Sequence, residues 1–188
     1  GERTLRLWEL ASGKCLKAIR VGEESATSSS DDVFSVAVNP AGTQALTGHR
    51  DGRVRLWDLG TGRCLATLNG HSGFVGSVQI TPGGRLAVSG SEDTTVKLWD
   101  LEARTCVGTL EGHQQGIGSV AISPDGTLTA SAGFITERTV RLWDHESGAC
   151  LQVIQNEERW TPRSVTFSPD GSRLVVATAT GRIYVYRL

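Results

Sequence analysis

A basic residue, Leu, Trp and an acid follow one another four times along the chain, with Trp8, Trp57, Trp99 and Trp143 spaced by 49, 42 and 44 residues. A period of this length constrains the fold more than any other feature. Each period is a supersecondary block that cannot bury its apolar face alone, so neighbouring blocks must stack on one another. Other landmarks keep the same beat. Gly70-His71 returns as Gly112-His113, and the turn NPAG at 39–42 returns as TPGG at 81–84 and as SPDG at 123–126 and 168–171. Cys15, Cys64, Cys106 and Cys150 follow the successive Trp residues. The opening residues GERTLRLWEL already lie inside such a block.

One block reads as four strands. SVQITP at 77–82 alternates like a half-buried strand and runs into a turn at Pro-Gly-Gly. RLAVSGS at 85–91, TVKLWDL at 95–101 and TCVGTL at 105–110 follow, each short, rich in β-branched or apolar residues and bounded by turn formers. No helical period appears, so the expected class is all-β. Four-stranded antiparallel sheets that must each cover a neighbour close by radial stacking.

The Gly-His and Trp-Asp landmarks at a period in the forties make the sequence similar to the WD-repeat β-propeller family over essentially its whole length. The resemblance implies about four blades' worth of structure, 17 strands in all. These are a half blade at 1–20, complete blades at 33–69, 75–111 and 117–155, and three strands of a last blade at 163–188. In this family the ring closes by joining one N-terminal strand to three C-terminal ones, which removes the exposed edges. The C-terminal end fits that habit, but the N-terminal end brings one strand more than a four-blade closure uses. As an isolated chain the ring is therefore expected to be incomplete. Two arrangements follow: the remaining blades lie upstream in a longer chain, or a second copy completes the ring.

His71, Ser89 and Asp93 contain the parts of a nucleophilic triad: a base, a hydroxyl and an orienting carboxylate. The resemblance gives the same residues, with Trp99, a structural role as a hydrogen-bonded network that ties one blade together. Partial recurrence favours the structural role, since an active site is needed once. The preceding unit supplies Thr47, Asp51 and Trp57, with the polar stretch 22–32 where its His should lie. The following unit supplies His113, Ser131 and Trp143, with Glu137 near the Asp position and an insertion in the turn. The last unit has Glu158, Ala177 and Tyr186 at these positions and is expected to lack a network. On this reading only the blade of His71 is complete and is the most rigid, and 22–32 is the most mobile stretch.

Charge and cysteine content narrow the partners. With 19 basic and 20 acidic residues the formal charge is −1, which gives no reason to expect nucleic acid or an anionic membrane. No stretch is long and apolar enough for a spanning helix. The Cys residues fall once per unit on the outermost strand, too far apart to pair, and without a C-x-x-C or Cys/His cluster to bind zinc. Unpaired Cys of this kind points to an intracellular, reducing setting. Arg6, Arg55, Lys97 and Arg141 recur before each Leu-Trp, and their stems are expected against the neighbouring blade. No phosphate-binding loop is present, and no cofactor is expected.

Once the periodic residues are assigned to structure, no catalytic set is left over, so function is expected in loop residues that break the repeat. The resemblance places the loops before the first strand and between the second and third strands on one face that docks proteins or peptides. Asp32, Arg50, Phe74, Glu92, Gln115, Phe134, Arg159 and Trp160 map there. Phe134 and Trp160 stand out because loop aromatics are enriched at binding hot spots. They are expected to form an apolar anchor, with Arg159 as a charged rim. The competing reading folds both rings down into the space around Ala177. The chain thus reads as a non-catalytic interaction scaffold, or alternatively as a structural unit that assembles with itself.

Overall fold

The structure is a computed structural model and describes residues 4–21, 32–134, 136–155 and 160–188. Among these residues it is all-β, with 17 strands in five antiparallel sheets. β1 (Thr4–Glu9) and β2 (Lys14–Arg20) form a two-stranded sheet. Three four-stranded meanders follow. The first holds β3 (Val33–Val38), β4 (Gln44–His49), β5 (Val54–Asp58) and β6 (Cys64–Leu68). The second holds β7 (Val75–Ile80), β8 (Leu86–Ser91), β9 (Val96–Asp100) and β10 (Thr105–Leu110). The third holds β11 (Ile117–Ile122), β12 (Leu128–Gly133), β13 (Thr139–Asp144) and β14 (Cys150–Gln155). β15 (Pro162–Phe167), β16 (Arg173–Thr178) and β17 (Ile183–Arg187) make a three-stranded last sheet.

Local sequence sets the hairpins. In SPDG the carboxylate of Asp125 accepts bonds from the Ser123 hydroxyl and from the Thr127 amide and hydroxyl, while Gly126 takes φ of 78°. Such a turn reverses the chain between β11 and β12 with a left-handed residue that only Gly adopts cheaply. Each complete blade also bulges at two recurring points, between the first and second strands and where Trp faces Cys. Bulges raise the local twist that lets one sheet nest on the next.

Blades join through their first strands. The hydroxyls of Ser35, Ser77 and Ser119 accept bonds from the amides of Val78, Val120 and Val165 in the next blade, at 3.0, 3.1 and 3.2 Å. Small residues on the second strands make this approach possible. A Cβ on Gly90 would come within 2.6 Å of Ile117, and one on Gly48 within 2.8 Å of Val75. The core is accordingly divided into clusters, several of them built from two blades.

The arc of blades is open. Val78, Val120 and Val165 are 2%, 2% and 4% exposed on their first strands, whereas the matching Val36 on β3 is 50% exposed. Among the described residues no strand pair covers β3 as β3 covers β7, and β17 pairs with β16 alone. Beside this opening, the sheet of β1 and β2 leans on the first blade through Ile19, Val21, Trp57 and Leu59.

Candidate functional site

The polar network of the second blade forms as a directed chain. Trp99 Nε1 donates to Ser89 Oγ at 2.7 Å, Ser89 Oγ lies 2.7 Å from His71 Nε2, and His71 Nδ1 lies 2.8 Å from Asp93 Oδ2. Burial keeps the His71 imidazole below its ordinary pKa, against the pull of Asp93, so it is neutral near pH 7. Burial acts to raise the Asp93 carboxyl, but bonds from the Thr95 hydroxyl and the Ser72 amide outweigh it and hold the pKa low. A neutral imidazole between a hydroxyl and a carboxylate donates from Nδ1 and accepts at Nε2. These are also the roles of a triad, yet Ser89 is fully buried and its oxygen already accepts from Trp99, so no carbonyl carbon can approach it.

The third blade repeats the chain and corrects the expectation that only one blade is complete. Trp143 Nε1 donates to Ser131 Oγ, Ser131 Oγ meets His113 Nε2, and His113 Nδ1 meets Glu137 Oε1, each at 2.7 Å. The other Glu137 oxygen accepts from the Gln114 and Gln115 amides. Burial is again the first cause that keeps the His113 pKa low. Glu replaces Asp because the longer turn needs the longer side chain.

The first blade is corrected as well. Its imidazole comes from the end of its own second strand: His49 Nε2 lies 2.7 Å from Thr47 Oγ1, which accepts from Trp57 Nε1 at 2.8 Å. Asp51 binds elsewhere, with Oδ2 accepting from Arg55 at 2.8 Å and from Arg53 at 3.3 Å. The signal in the sequence was the spacing of Thr47 and His49, two residues apart on one face of a buried strand. Residues 22–31, most of the stretch expected to be mobile, lie outside the described residues, as do Glu158 and Arg159.

In the last blade the position of Ser89 belongs to Val176, not to Ala177. Val165 faces Val176 as Val78 faces Ser89, and Ala177 matches Gly90. Tyr186 stands at the Trp position. Trp160 is 1% exposed in the cluster of Val165, Leu174 and Val176, its ring centroid 5.5 Å from that of Tyr184. The expected surface anchor is therefore corrected at Trp160: an apolar strand without a hydroxyl drew the indole into the core. Two of the basic residues lie against the Trp of their own blade: Arg141 is 6.0 Å from the ring of Trp143, and Lys97 lies along Gly70 beside Trp99.

The remaining loop residues gather on one face through a repeated backbone bond. The Arg50 amide donates to the Asp32 carbonyl, Glu92 to Phe74, and Phe134 to Gly116, at 2.9, 2.9 and 2.6 Å. Phe134 does not follow Trp160 inward. Its ring lies on the bare backbone of Gly116 and Gly118, where a Cβ would come within 3.3 and 3.1 Å. It meets Phe74 at 6.2 Å between centroids, and Phe74 meets Phe34 at 5.2 Å. Phe34 was not singled out in the sequence, although it precedes the match of Ser77 by one residue on an exposed first strand. Phe74, Glu92, Gln115 and Phe134 border a concavity of about 480 Å³.

Among the described residues no group of His, Cys, Asp and Glu could hold a metal, and the four thiols are free and exposed. Among the described residues no helix is long and apolar enough to cross a membrane. A family model described as WD domain, G-beta repeat matches residues 14–58, 62–100, 104–144 and 148–187. No match is found among curated proteins. With nearly the whole length matched, the chain belongs to the WD-repeat family of β-propellers.

Proposed function

We propose that this protein is a non-catalytic docking scaffold that takes a protein or peptide partner on the face carrying Phe74, Glu92, Gln115 and Phe134, as the sensor or docking module of a larger signalling or assembly protein. Proteins built from these repeats generally hold partners by rigid surfaces. The observation that carries the reading is the row of Phe34, Phe74 and Phe134 across three blades, of which Phe74 and Phe134 border a concavity that packing within the blades does not require. Half-exposed aromatic rings beside a pocket are typical anchors of an interface. Asp32 and Arg50 extend the face by one blade. The exposed free thiols fit an intracellular setting.

The test compares immobilised wild-type protein with the Phe74→Ala, Phe134→Ala double variant, using quantitative mass spectrometry of what each retains. A partner held by this face is lost by roughly ten-fold or more, as expected for hot-spot removal, with little change in melting temperature. Retention unchanged by the double variant overturns the assignment of this face.

The uncovered Val36 favours a second reading, in which another copy of the chain, or blades upstream in a longer one, completes the ring.

A further inference from the structure

The cleft between the second and third complete blades has a chemistry that restricts what it accepts. Two half-buried rings, Phe74 and Phe134, form its walls. Gly116 forms its floor, and the floor must stay bare: a Cβ there would come 2.9 Å from the Glu92 backbone and 3.3 Å from the Phe134 ring. Glu92 is exposed at the mouth and is the one charged side chain lining it among the described residues. Its carboxylate has no ion-pair or hydrogen-bond partner among the described residues, in contrast to Asp93 and Glu137, whose carboxylates are spent on buried imidazoles. An unneutralised carboxylate beside an apolar slot attracts a cation and repels an anion.

The cleft continues outward. A second depression of about 310 Å³ shares Gln114, Gln115 and Thr136 with it and runs over Thr139 and Arg141 to Val153 and Gln155 on the outermost strand. Arg141 is set against Glu137 at 3.6 Å, so its charge is largely offset there. The side-chain amides of Gln114 and Gln115 stand at the junction of the two depressions, where they can meet the main chain of an extended segment. An apolar inner end, an anionic mouth and a polar run outward describe a track for an extended peptide.

We propose that the occupant of this track is an extended peptide segment in which an aliphatic or aromatic side chain enters between Phe74 and Phe134 and a neighbouring lysine or arginine meets Glu92. The proposal rests on the docking role of this face and adds the chemistry of the partner. The carboxylate contributes selection more than affinity, because an exposed ion pair is weak, while the buried apolar side chain supplies most of the binding.

Four capped hexapeptides with the centres Leu-Lys, Leu-norleucine, Leu-Glu and Ala-Lys test it, titrated into the full chain while amide shifts are followed by NMR. Leu-Lys is expected to bind roughly five-fold more tightly than Leu-Glu, the equivalent of about 1 kcal/mol for an exposed pair. Shifts should centre on Gln115, Gly116 and Thr94. Ala-Lys and the Phe134→Ala variant should each lose most of the binding. Glu92→Gln should remove the preference for Lys over norleucine, and Glu92→Lys should turn it toward Leu-Glu; the position is exposed, so both changes leave the fold intact. Equal binding of Leu-Lys and Leu-Glu at these same amides overturns the partner chemistry and leaves the docking face standing. Shifts confined to the opposite face, or none with any peptide while a captured protein partner still depends on Phe74 and Phe134, overturn the peptide track alone. Absence of both peptide shifts and any such dependence overturns the face as well.

Discussion

Glu137 holds the same relation to His113 that Asp93 holds to His71, at 2.7 Å against 2.8 Å, although its turn is longer. Ser131 and Trp143 are 12 residues apart where Ser89 and Trp99 are 10 apart, and the extra methylene of Glu spans the difference. The carboxylate also caps the amides of Gln114 and Gln115, so it ties the loop before the first strand to the turn after the second.

Glu137→Ala is therefore expected to lower stability by about 1–3 kcal/mol, the cost of leaving buried partners unsatisfied. Glu137→Asp should keep only part of the wild-type stability, because the shorter arm does not reach both the imidazole and the amides. Urea unfolding checks both. An Asp variant as stable as wild type would show that the length of the side chain is irrelevant. Ser89→Ala provides the chemical control: its cost should fall in the same range, and any ester hydrolysis that disappears with it would contradict the structural role of the network.

The networks also give a pH dependence. His71 and His113 are held below their ordinary value of 6.5, chiefly by burial, so the unfolded chain binds protons that the folded one refuses as pH falls below about 6.5. Stability from this source is complete above 6.5 and declines as pH falls toward the lowered folded values. Asp93 and Glu137 are depressed from 3.8 and 4.5, so their contribution is present above those values and is lost on further acidification. Both effects have the same sign. Melting temperature should be nearly flat from pH 8 to 7 and fall steadily below 6.5, and the doubly substituted His71→Gln, His113→Gln protein should lose much of the upper part of that slope, the remainder coming from His145, which burial also holds low. A melting temperature that rises between pH 6.5 and 5 would contradict neutral imidazoles.

The blade count and the strand order were legible because the signals are periodic: Trp, the Pro-Gly turns and the alternation of apolar residues repeat until coincidence is excluded. The networks were legible only where the usual residue stood in the usual place. His49 escaped notice because a strand face, not a loop, delivers the ring; Glu137 was placed near the Asp position, but that it completes the network depends on the path of a turn. Val176 was legible too and was misplaced by one residue in the count alone: it lies five residues after Gly171 and ten before Tyr186, as Ser89 lies five after Gly84 and ten before Trp99, and the bulge before it recurs in the other blades. Trp160 was misread for a different reason. Its slot holds Gly73 and Gln115 in other blades, and whether a ring there faces solvent depends on what the strand beneath offers. Where that strand carries Ser89 or Ser131 an imidazole fills the space; where it carries Val176 the indole does.

Trp160→Ala should accordingly cost about 3–5 kcal/mol, as for other large-to-small changes in a core. Its Nε1 has no hydrogen-bond partner among the described residues, so a ring without that donor loses little. Trp160→Phe should cost much less than Trp160→Ala. Neither should weaken partner capture beyond what unfolding explains. A melting temperature unmoved by Trp160→Ala would place the ring outside the core.

The open arc leads to the last expectation. Phe34, Val36 and Val38 are 47%, 50% and 52% exposed on β3, and Ile183 and Val185 are 68% and 56% exposed on β17. One end thus presents an apolar face without a neighbouring blade, and the other presents a strand with a free edge, which favours association. Either end can cover the other only between molecules or across blades that the chain of 188 residues does not itself contain. Light scattering on this chain alone should show a mass above 20.1 kDa that increases with concentration. Val36→Lys should reduce association by blocking the face, and Val185→Lys by charging the edge, each with little loss of stability because neither side chain is buried. Hydrogen exchange gives the independent reading: amides on the free edge of β17 should exchange quickly in dilute solution and slow as the mass rises. A strictly monomeric wild-type chain with protected β17 amides would mean that the arc closes on itself, and the apolar face of β3 would then be covered from within.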